Sequence, residues 1–134
     1  MDEVVFSKTK ETIEVGYSAA AVGTDMPAMH YHAAYELFIL ASGHRTYLIN
    51  GKLFQAEKMD VVLIPPQVIH KTGSTLGFER YIINFTDPFL DRYLSNVQKE
   101  KLLQCFRHPR LSLSKEQFQE ILLNWERINT SDDE

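Results

Sequence analysis

The chain has 134 residues, of which 44% are hydrophobic and 24% are charged, and its formal net charge is −4. These values are typical of one globular domain, and an acidic balance argues against a nucleic-acid-binding surface, which is usually basic. No run of 18 apolar residues occurs, so we expect no membrane-spanning helix. The single cysteine, Cys105, is expected to be a buried, inert thiol. Because no signal-peptide pattern or disulfide pair is present, we expect a cytoplasmic protein.

The first part of the chain has the residue types of short β-strands. Branched and aromatic residues fill six segments, separated by turn residues such as Ser42-Gly43: 12–17, 35–40, 45–49, 52–54, 61–64 and 80–85. Asn50-Gly51 predicts a type I′ hairpin that pairs Tyr47 with Phe54. Many short strands without long helices between them predict a mainly β sandwich or barrel over residues 1–86.

From residue 87 onward the apolar period changes to that of helices. A helical stretch opens at Asp87-Pro88, with apolar residues at steps of three and four. A further helical piece is predicted at Lys99 to Phe106, and Pro109 is expected to end it. Ser114 and Gln117 fit a capping box at the start of a last helix, whose apolar stripe is Phe118, Ile121, Leu122 and Trp125. We therefore predict a helical region over 87–129, in the same domain, and a frayed tail at 130–134.

Three imidazoles and one carboxylate form the main candidate site. His30, His32 and Glu36 share one face of an unbroken strand, and His70 follows later in the chain. These side-chain types can hold a divalent transition metal, with positions left open for a ligand. The alternative is a metal-free polar pocket, in which the same groups hydrogen-bond one another, water or an organic ligand.

Other candidate pocket residues follow from strand parity. Phe38 shares the face of Glu36, and Arg80 shares a face with Asn84. An inward Arg80 could bind a ligand carboxylate or a sugar hydroxyl, whereas an outward one would neutralise the neighbouring Glu79. Tyr47 and Leu48 face opposite ways, and parity alone does not decide which is inward. The candidate ligand-binding set is His30, His32, Glu36, Phe38, Tyr47, His70, Arg80 and Asn84.

The spacing of these groups resembles the cupin superfamily. The pattern His-x-His-x3-Glu-x6-Gly runs from His30 to Gly43, and a second motif places His70 five residues after Pro65. The resemblance implies a double-stranded β-barrel (jelly roll) in which Zn, Ni, Fe or Mn is held by His30, His32, Glu36 and His70. The second motif departs from the family, which has Gly, Gly and Asn where this chain has Met59, Gln67 and Ser74.

The wider succession of motifs is similar to the N-terminal effector-binding domain of AraC-type bacterial transcription regulators, over about residues 28–128. The resemblance implies a small effector, such as a sugar or small acid, inside the barrel. It also implies that DNA is bound only through a C-terminal helix-turn-helix domain that lies outside this chain. We expect a homodimer through the last helix, at Phe118, Ile121, Leu122 and Trp125, because Trp is favoured at interfaces. We expect residues 1–10 to form an arm that can lie over the barrel mouth; the alternative is that Val4 to Phe6 is an edge strand.

Two other classes of function remain open. A metal-dependent cupin enzyme, such as a dioxygenase or isomerase, would use the same three histidines and Glu36 as ligands. A storage or assembly barrel would bind nothing. No further acid, base or oxyanion-stabilising group stands out on the predicted strands, so the sequence favours a sensor over an enzyme.

Overall fold

The computed structural model describes residues 13–22, 33–73 and 76–131. Its elements in chain order are β1 (Ile13–Val22), β2 (Tyr35–Ile49), β3 (Lys52–Glu57), β4 (Asp60–Ile64), β5 (His70–Gly73), β6 (Leu76–Phe85), α1 (Asp87–Tyr93), α2 (Asn96–Cys105), β7 (Arg110–Ser112) and α3 (Lys115–Ser131). The strands pair antiparallel in the order β1-β6-β2-β4-β7, and β3 and β5 pair with β2. The predicted mainly β fold with C-terminal helices is confirmed. The first ten residues lie outside the described part.

Strand β2 organises the barrel because its two halves pair with different strands. Its first half lies between β4 and β6, and its second half lies between β3 and β5. Sequence analysis split this strand at Ser42-Gly43, but the structure has one continuous strand with a β-bulge between Leu40 and Ser42. The extra residue changes the alternation, so that Phe38 before the bulge and Tyr47 after it both point into the barrel.

The predicted hairpin is confirmed, and two further positions with positive φ coincide with departures from the cupin pattern. Asn50 and Gly51 have φ of 49° and 80°, as a type I′ turn requires, and Tyr47 pairs with Phe54. Met59 and Gln67, which replace glycines of the family, have φ of 74° and 65°. The backbone therefore keeps the left-handed turns, although side chains strain this conformation.

The sheet buries both of its faces against different partners. The inner cluster fills the barrel with Phe38, Leu40, Tyr47, Ile49, Ala56, Val62, Ile64 and Phe78. The outer cluster lies between the sheet and the helices and contains Tyr35, Ile39, Val61, Leu63, Phe85, Leu90, Phe106 and Phe118. All five residues of β4 are buried, because one face lies in each cluster.

The helices begin where capping residues satisfy their first backbone N–H groups. The Ser114–Gln117 capping box is confirmed by hydrogen bonds of 2.9 Å and 3.1 Å, and Ser95 and Gln98 form a second one at α2. The last helix continues to Ser131, two residues beyond the predicted boundary. No helix among the described residues is long and apolar enough to cross a membrane.

The expectation of a buried cysteine is wrong. Cys105 is exposed, and its thiol lies 3.8 Å from the Lys101 carbonyl oxygen. The apolar side chains that turn α2 towards the barrel are Leu102, Leu103 and Phe106. Because these side chains set the packed face of the helix, Cys105 is left at its margin.

Candidate functional site

Glu36 lies inside the barrel on the first half of β2. Its Cα partners are Asn84 on β6 and Ile64 on β4. Glu36 and Asn84 are buried, at 7% and 5% exposure. The Asn84 Oδ1 atom accepts no hydrogen bond from the residues that the structure describes. Buried polar atoms are nearly always paired with protein, water or a ligand, so this oxygen is a candidate ligand contact.

His70 joins Glu36 from the opposite side of the barrel. It begins β5, where it pairs with Ile49, and its side chain is 2% exposed. The Nδ1–H group donates to the Val68 carbonyl oxygen at 2.9 Å, since a carbonyl can only accept. The other ring nitrogen, Nε2, lies 3.1 Å from Glu36 Oε2. The fold therefore brings together two residues that are 34 positions apart in the sequence.

This pair has the donor types and the orientation of half a metal site. A metal-binding imidazole commonly donates its second N–H to a backbone carbonyl, as His70 does to Val68. With that tautomer the lone pair of Nε2 faces the Glu36 carboxylate, which is the orientation in which the two side chains could bind one metal ion. His30 and His32 lie outside the described residues. Within 13–22, 33–73 and 76–131, no cluster of three metal-binding side chains occurs.

Arg80 lies in the barrel interior, which decides between the two orientations that the sequence left open. It is 0% exposed, and its Nη1 donates to the Tyr47 hydroxyl at 3.2 Å. The guanidinium carbon lies 4.4 Å from the centre of the Phe38 ring and 5.5 Å from that of Phe78. Such cation–π contacts hold the guanidinium plane in one orientation. Tyr47, rather than Leu48, is the inward residue.

Sequence reasoning missed a second buried arginine. Arg45 is 3% exposed; its Nε donates to Thr72 Oγ1 at 3.0 Å, and Thr72 Oγ1 donates to the Thr46 carbonyl at 3.1 Å. The Arg45 guanidinium also lies 4.0 Å from the centre of the Phe78 ring. Its alternation with Tyr47 and Ile49 is visible in the sequence, but the bulge that turns this face inward is not.

The described interior therefore carries two kinds of polar group. An acid, imidazole and amide set comprises Glu36, His70 and Asn84. An arginine set comprises Arg45 and Arg80 with their hydrogen-bond partners. Aromatic rings of Phe38, Tyr47 and Phe78 lie between or beside them. Fixed donors and acceptors beside aromatic rings are the group types that recognise a small polar molecule.

The four residues predicted at a dimer interface lie on α3 and face their own barrel. Phe118 and Trp125 are each 6% exposed, and Ile121 and Leu122 are half-buried against the outer cluster. The Trp125 ring lies 4.6 Å from that of Tyr81 on β6. The interface itself stays a prediction, since a single chain is described.

On the outer face, Tyr35 connects β2 to the helices. Its hydroxyl donates to Asp87 Oδ1 at 3.0 Å. Burial, the hydrogen bond to Asp87 and the negative charge of Asp87 raise the pKa of Tyr35 to about 12, from its ordinary value of 10.0. The phenol is therefore protonated, and acts as a donor, at any physiological pH.

The raised pKa of Tyr35 predicts a loss of stability at alkaline pH. The folded state holds the phenol proton more tightly than the unfolded state, so this contribution is complete below pH 10.0 and is lost as the pH rises towards about 12. Urea unfolding at pH 9 and pH 11 should show a smaller alkaline loss for Tyr35→Phe than for the wild type. Tyr93→Phe, at a residue 63% exposed, is the matched control. Equal losses in both variants would contradict the assignment.

Solved structures of cupin proteins share the barrel fold of this chain. The chain is similar to a cupin superfamily protein from Desulfitobacterium hafniense, at 14% identity and a TM-score of 0.53, over 63% of this chain and 75% of that one. A Cupin 2 conserved barrel domain protein from Salinispora arenicola matches at 23% identity and a TM-score of 0.51, over 66% and 76%. These likenesses show the fold alone.

An enzyme is also among the similar structures. Salicylate 1,2-dioxygenase from Pseudoaminobacter salicylatoxidans matches at 17% identity and a TM-score of 0.51, over 60% of this chain but 24% of that one. No curated protein matches the chain. A family model does match: that of the AraC-like ligand binding domain, over residues 12–132. Since this match spans most of the sequence, the chain belongs to the family of AraC-like ligand-binding domains and is built on a cupin barrel.

Proposed function

We propose that this chain is the effector-sensing domain of a cytoplasmic bacterial transcription regulator, and that it binds a small polar molecule such as a sugar or small acid. The observation that carries the proposal is the barrel interior, where Glu36, His70, Asn84 and Arg80 are buried together with aromatic rings. Among these groups the buried Asn84 Oδ1 accepts no hydrogen bond from the described residues, and a bound ligand is one way to satisfy it. The family match supports a ligand-binding role.

Within this proposal each polar group has a part in recognition. Arg80 would bind a carboxylate or hydroxyl through a guanidinium that the Tyr47 hydroxyl and the Phe38 ring hold in place. Asn84 would donate to or accept from a hydroxyl, since its Oδ1 accepts no hydrogen bond from the described residues. The Glu36 and His70 pair would hold a hydroxyl or, together with His30 and His32, a divalent Zn, Ni, Fe or Mn ion.

Regulation requires more than binding, because a ligand shifts an equilibrium only when it binds two states with different affinity. We propose that effector binding changes the conformation of this domain, and that the change alters DNA binding by a helix-turn-helix domain that is not part of this sequence. A second copy of the chain is the other proposed partner. The exposed side of α3 offers it Leu123, which is 77% exposed.

Thermal unfolding with a panel of sugars and small carboxylic acids tests the proposal. A ligand at 100 times its Kd stabilises the folded state by about 2.7 kcal/mol, so a true effector should raise the Tm clearly. Arg80→Met should still fold, because an apolar side chain of similar length replaces a buried charge. It should bind the effector about 10 to 100 times more weakly, the loss of one charged hydrogen bond.

Arg107→Met is the matched control, since Arg107 is exposed on the surface of the helical region. It should bind the effector as the wild type does. If no compound in the panel raises the Tm, or if Arg80→Met binds as tightly as Arg107→Met, the proposed sensing site is wrong.

A metal-dependent cupin enzyme is the second candidate. The observation that favours it is the orientation of His70, whose Nδ1–H donates to Val68 while Nε2 faces Glu36. The ion would supply Lewis-acid or redox chemistry when bound, and these two residues would be among those that hold it. Elemental analysis of protein purified without chelator separates the candidates: stoichiometric iron or manganese favours the enzyme, and effector binding by metal-free protein favours the sensor.

A further inference from the structure

The strand pair that carries the interior site also carries the contacts of helix α2. On β2 and β6, Glu36 pairs with Asn84, and the next pair along the strands is Tyr35 with Phe85. Successive residues of a strand point to opposite faces. The first pair therefore points into the barrel, while the second points outward to the helices. A backbone shift of the inner pair is passed to the outer pair, because a rigid peptide unit joins the consecutive residues of each strand.

The outer pair holds the C-terminal end of α2. The Tyr35 ring stacks on Phe85 at 5.3 Å, and both rings meet Phe106, at 5.2 Å and 6.0 Å between centroids. Phe106 is the C-cap residue of α2 and is 7% exposed. Aromatic pairs of this geometry add stability beyond the area that they bury.

The N-terminal end of α2 is held by a chain of polar contacts from the same tyrosine. The Tyr35 hydroxyl donates to Asp87 Oδ1 at 3.0 Å. The Lys99 ammonium of α2 lies 3.2 Å from the same oxygen and 2.6 Å from Asp91 Oδ1. Tyr35 therefore contacts one end of α2 through its ring and the other end through its hydroxyl and Asp87.

Between these two attachments α2 is lightly held. None of its residues, from Asn96 to Cys105, is buried. Leu102 and Leu103 are half-buried against the outer cluster. By contrast, α3 is anchored by the buried side chains of Phe118 and Trp125. Elements with few buried apolar contacts open at the lowest free energy, so α2 is the helix whose position can change most readily.

We propose that Tyr35 and Phe85 couple occupancy of the interior site at Glu36 and Asn84 to the docking of α2 on the barrel. The inference rests on the proposed sensing function, because it takes that interior site as the place where the effector binds. A ligand that moves the inner pair changes the surface on which Phe106 and Lys99 dock. The two states are α2 docked and α2 released, and the ligand acts through its different affinity for them.

Hydrogen–deuterium exchange of the full chain tests the coupling without any effector. Glu36→Gln alters the inner pair, and Asn84→Asp alters it from the other strand in case the first variant does not fold. Either substitution should change the exchange rates of the α2 amides about fivefold or more, the low end of typical coupling between sites. The amides of α3 serve as an internal reference and should keep their rates.

A second substitution tests the route. Lys99→Met removes the contacts with Asp87 and Asp91, and in that background Glu36→Gln should have a much smaller effect on α2. Lys101→Met is the matched control, because Lys101 is an exposed lysine of the same helix; it should leave the effect intact. An equal effect in both backgrounds would show that the Lys99 contacts carry no coupling and would overturn the route through Asp87.

The outcomes for coupling and for function are separable. If neither interior variant changes α2 exchange, or if α2 and α3 change together, the coupling is wrong even where compounds bind. If α2 responds but no compound of the panel raises the Tm, the coupling stands and the proposed sensing function fails.

Discussion

Gly43→Ala should destabilise the folded chain by roughly 2–5 kcal/mol. Gly43 has a φ of +77°, in the left-handed region, where a residue with a Cβ pays about 1–2 kcal/mol. A Cβ here would also lie 2.1 Å from the Gly77 carbonyl oxygen and 2.9 Å from the Phe78 Cα. These are backbone atoms of β6, so β2 and β6 would have to move apart to make room for the Cβ. Overpacking of this kind costs about 1–3 kcal/mol.

Gly51→Ala separates the cost of the left-handed backbone from the cost of the steric overlap with β6. Gly51 has a φ of +80°, but nothing lies within 4 Å of a Cβ placed there. Its substitution should therefore cost only the backbone strain, about 1–2 kcal/mol. Urea unfolding of both variants gives the difference directly. Equal losses of stability would show that the close approach of Gly43 to β6 is not what excludes a side chain.

Trp125→Ala should cost about 3–5 kcal/mol of stability, the usual range for a buried tryptophan. Trp125 is 6% exposed and packs its ring 4.6 Å from Tyr81. Gln119→Ala is the matched control on the same helix, because Gln119 is exposed. It should change stability by less than about 0.5 kcal/mol, as most surface substitutions do. Urea unfolding at a fixed protein concentration measures both.

The same helix tests the proposed dimer, since Leu123 carries little of the chain's own core. Leu123→Glu should leave the unfolding of a single chain unchanged and should lower the sedimentation coefficient from that of a dimer to that of a monomer. A variant that sediments as the wild type does would place the interface elsewhere. Trp125 is unsuitable for this test, because its substitution damages the packing of α3 on its own barrel.

Short sequence motifs correctly predicted the turns and helix starts, because these depend on residues that are neighbours in the chain. The hairpin at Asn50-Gly51 follows from two residues that tolerate positive φ, and the start of α3 follows from the Ser114 and Gln117 side chains. Strands β5 and β7 were missed as strands, because each has only four or three residues and no strong alternation. Their pairing is decided by β2 and β4, to which they add as partners.

The candidate site was predicted in part. Glu36, Phe38, Tyr47, His70, Arg80 and Asn84 all lie in the barrel interior, whereas His30 and His32 lie outside the described residues. The orientation of Tyr47 could not be read from the sequence, because the bulge before Gly43 reverses which side chains of β2 face inward. The orientation of Arg80 on β6 could not be read either, because alternation shows which residues share a face but not which face is inward. Arg45 and Thr72 were missed because polar residues on a strand are usually expected to face water.

The sequence by itself determined the class of fold, the turns, the helix caps and the residue types available for a site. These depend on interactions between residues close in the chain, or on a spacing that one family shares. Only the tertiary structure decided that His70 meets Glu36, that Arg80 is inside, and that Trp125 packs on its own barrel. Those contacts join residues far apart in the chain, and they depend on a register that one inserted residue in β2 shifts.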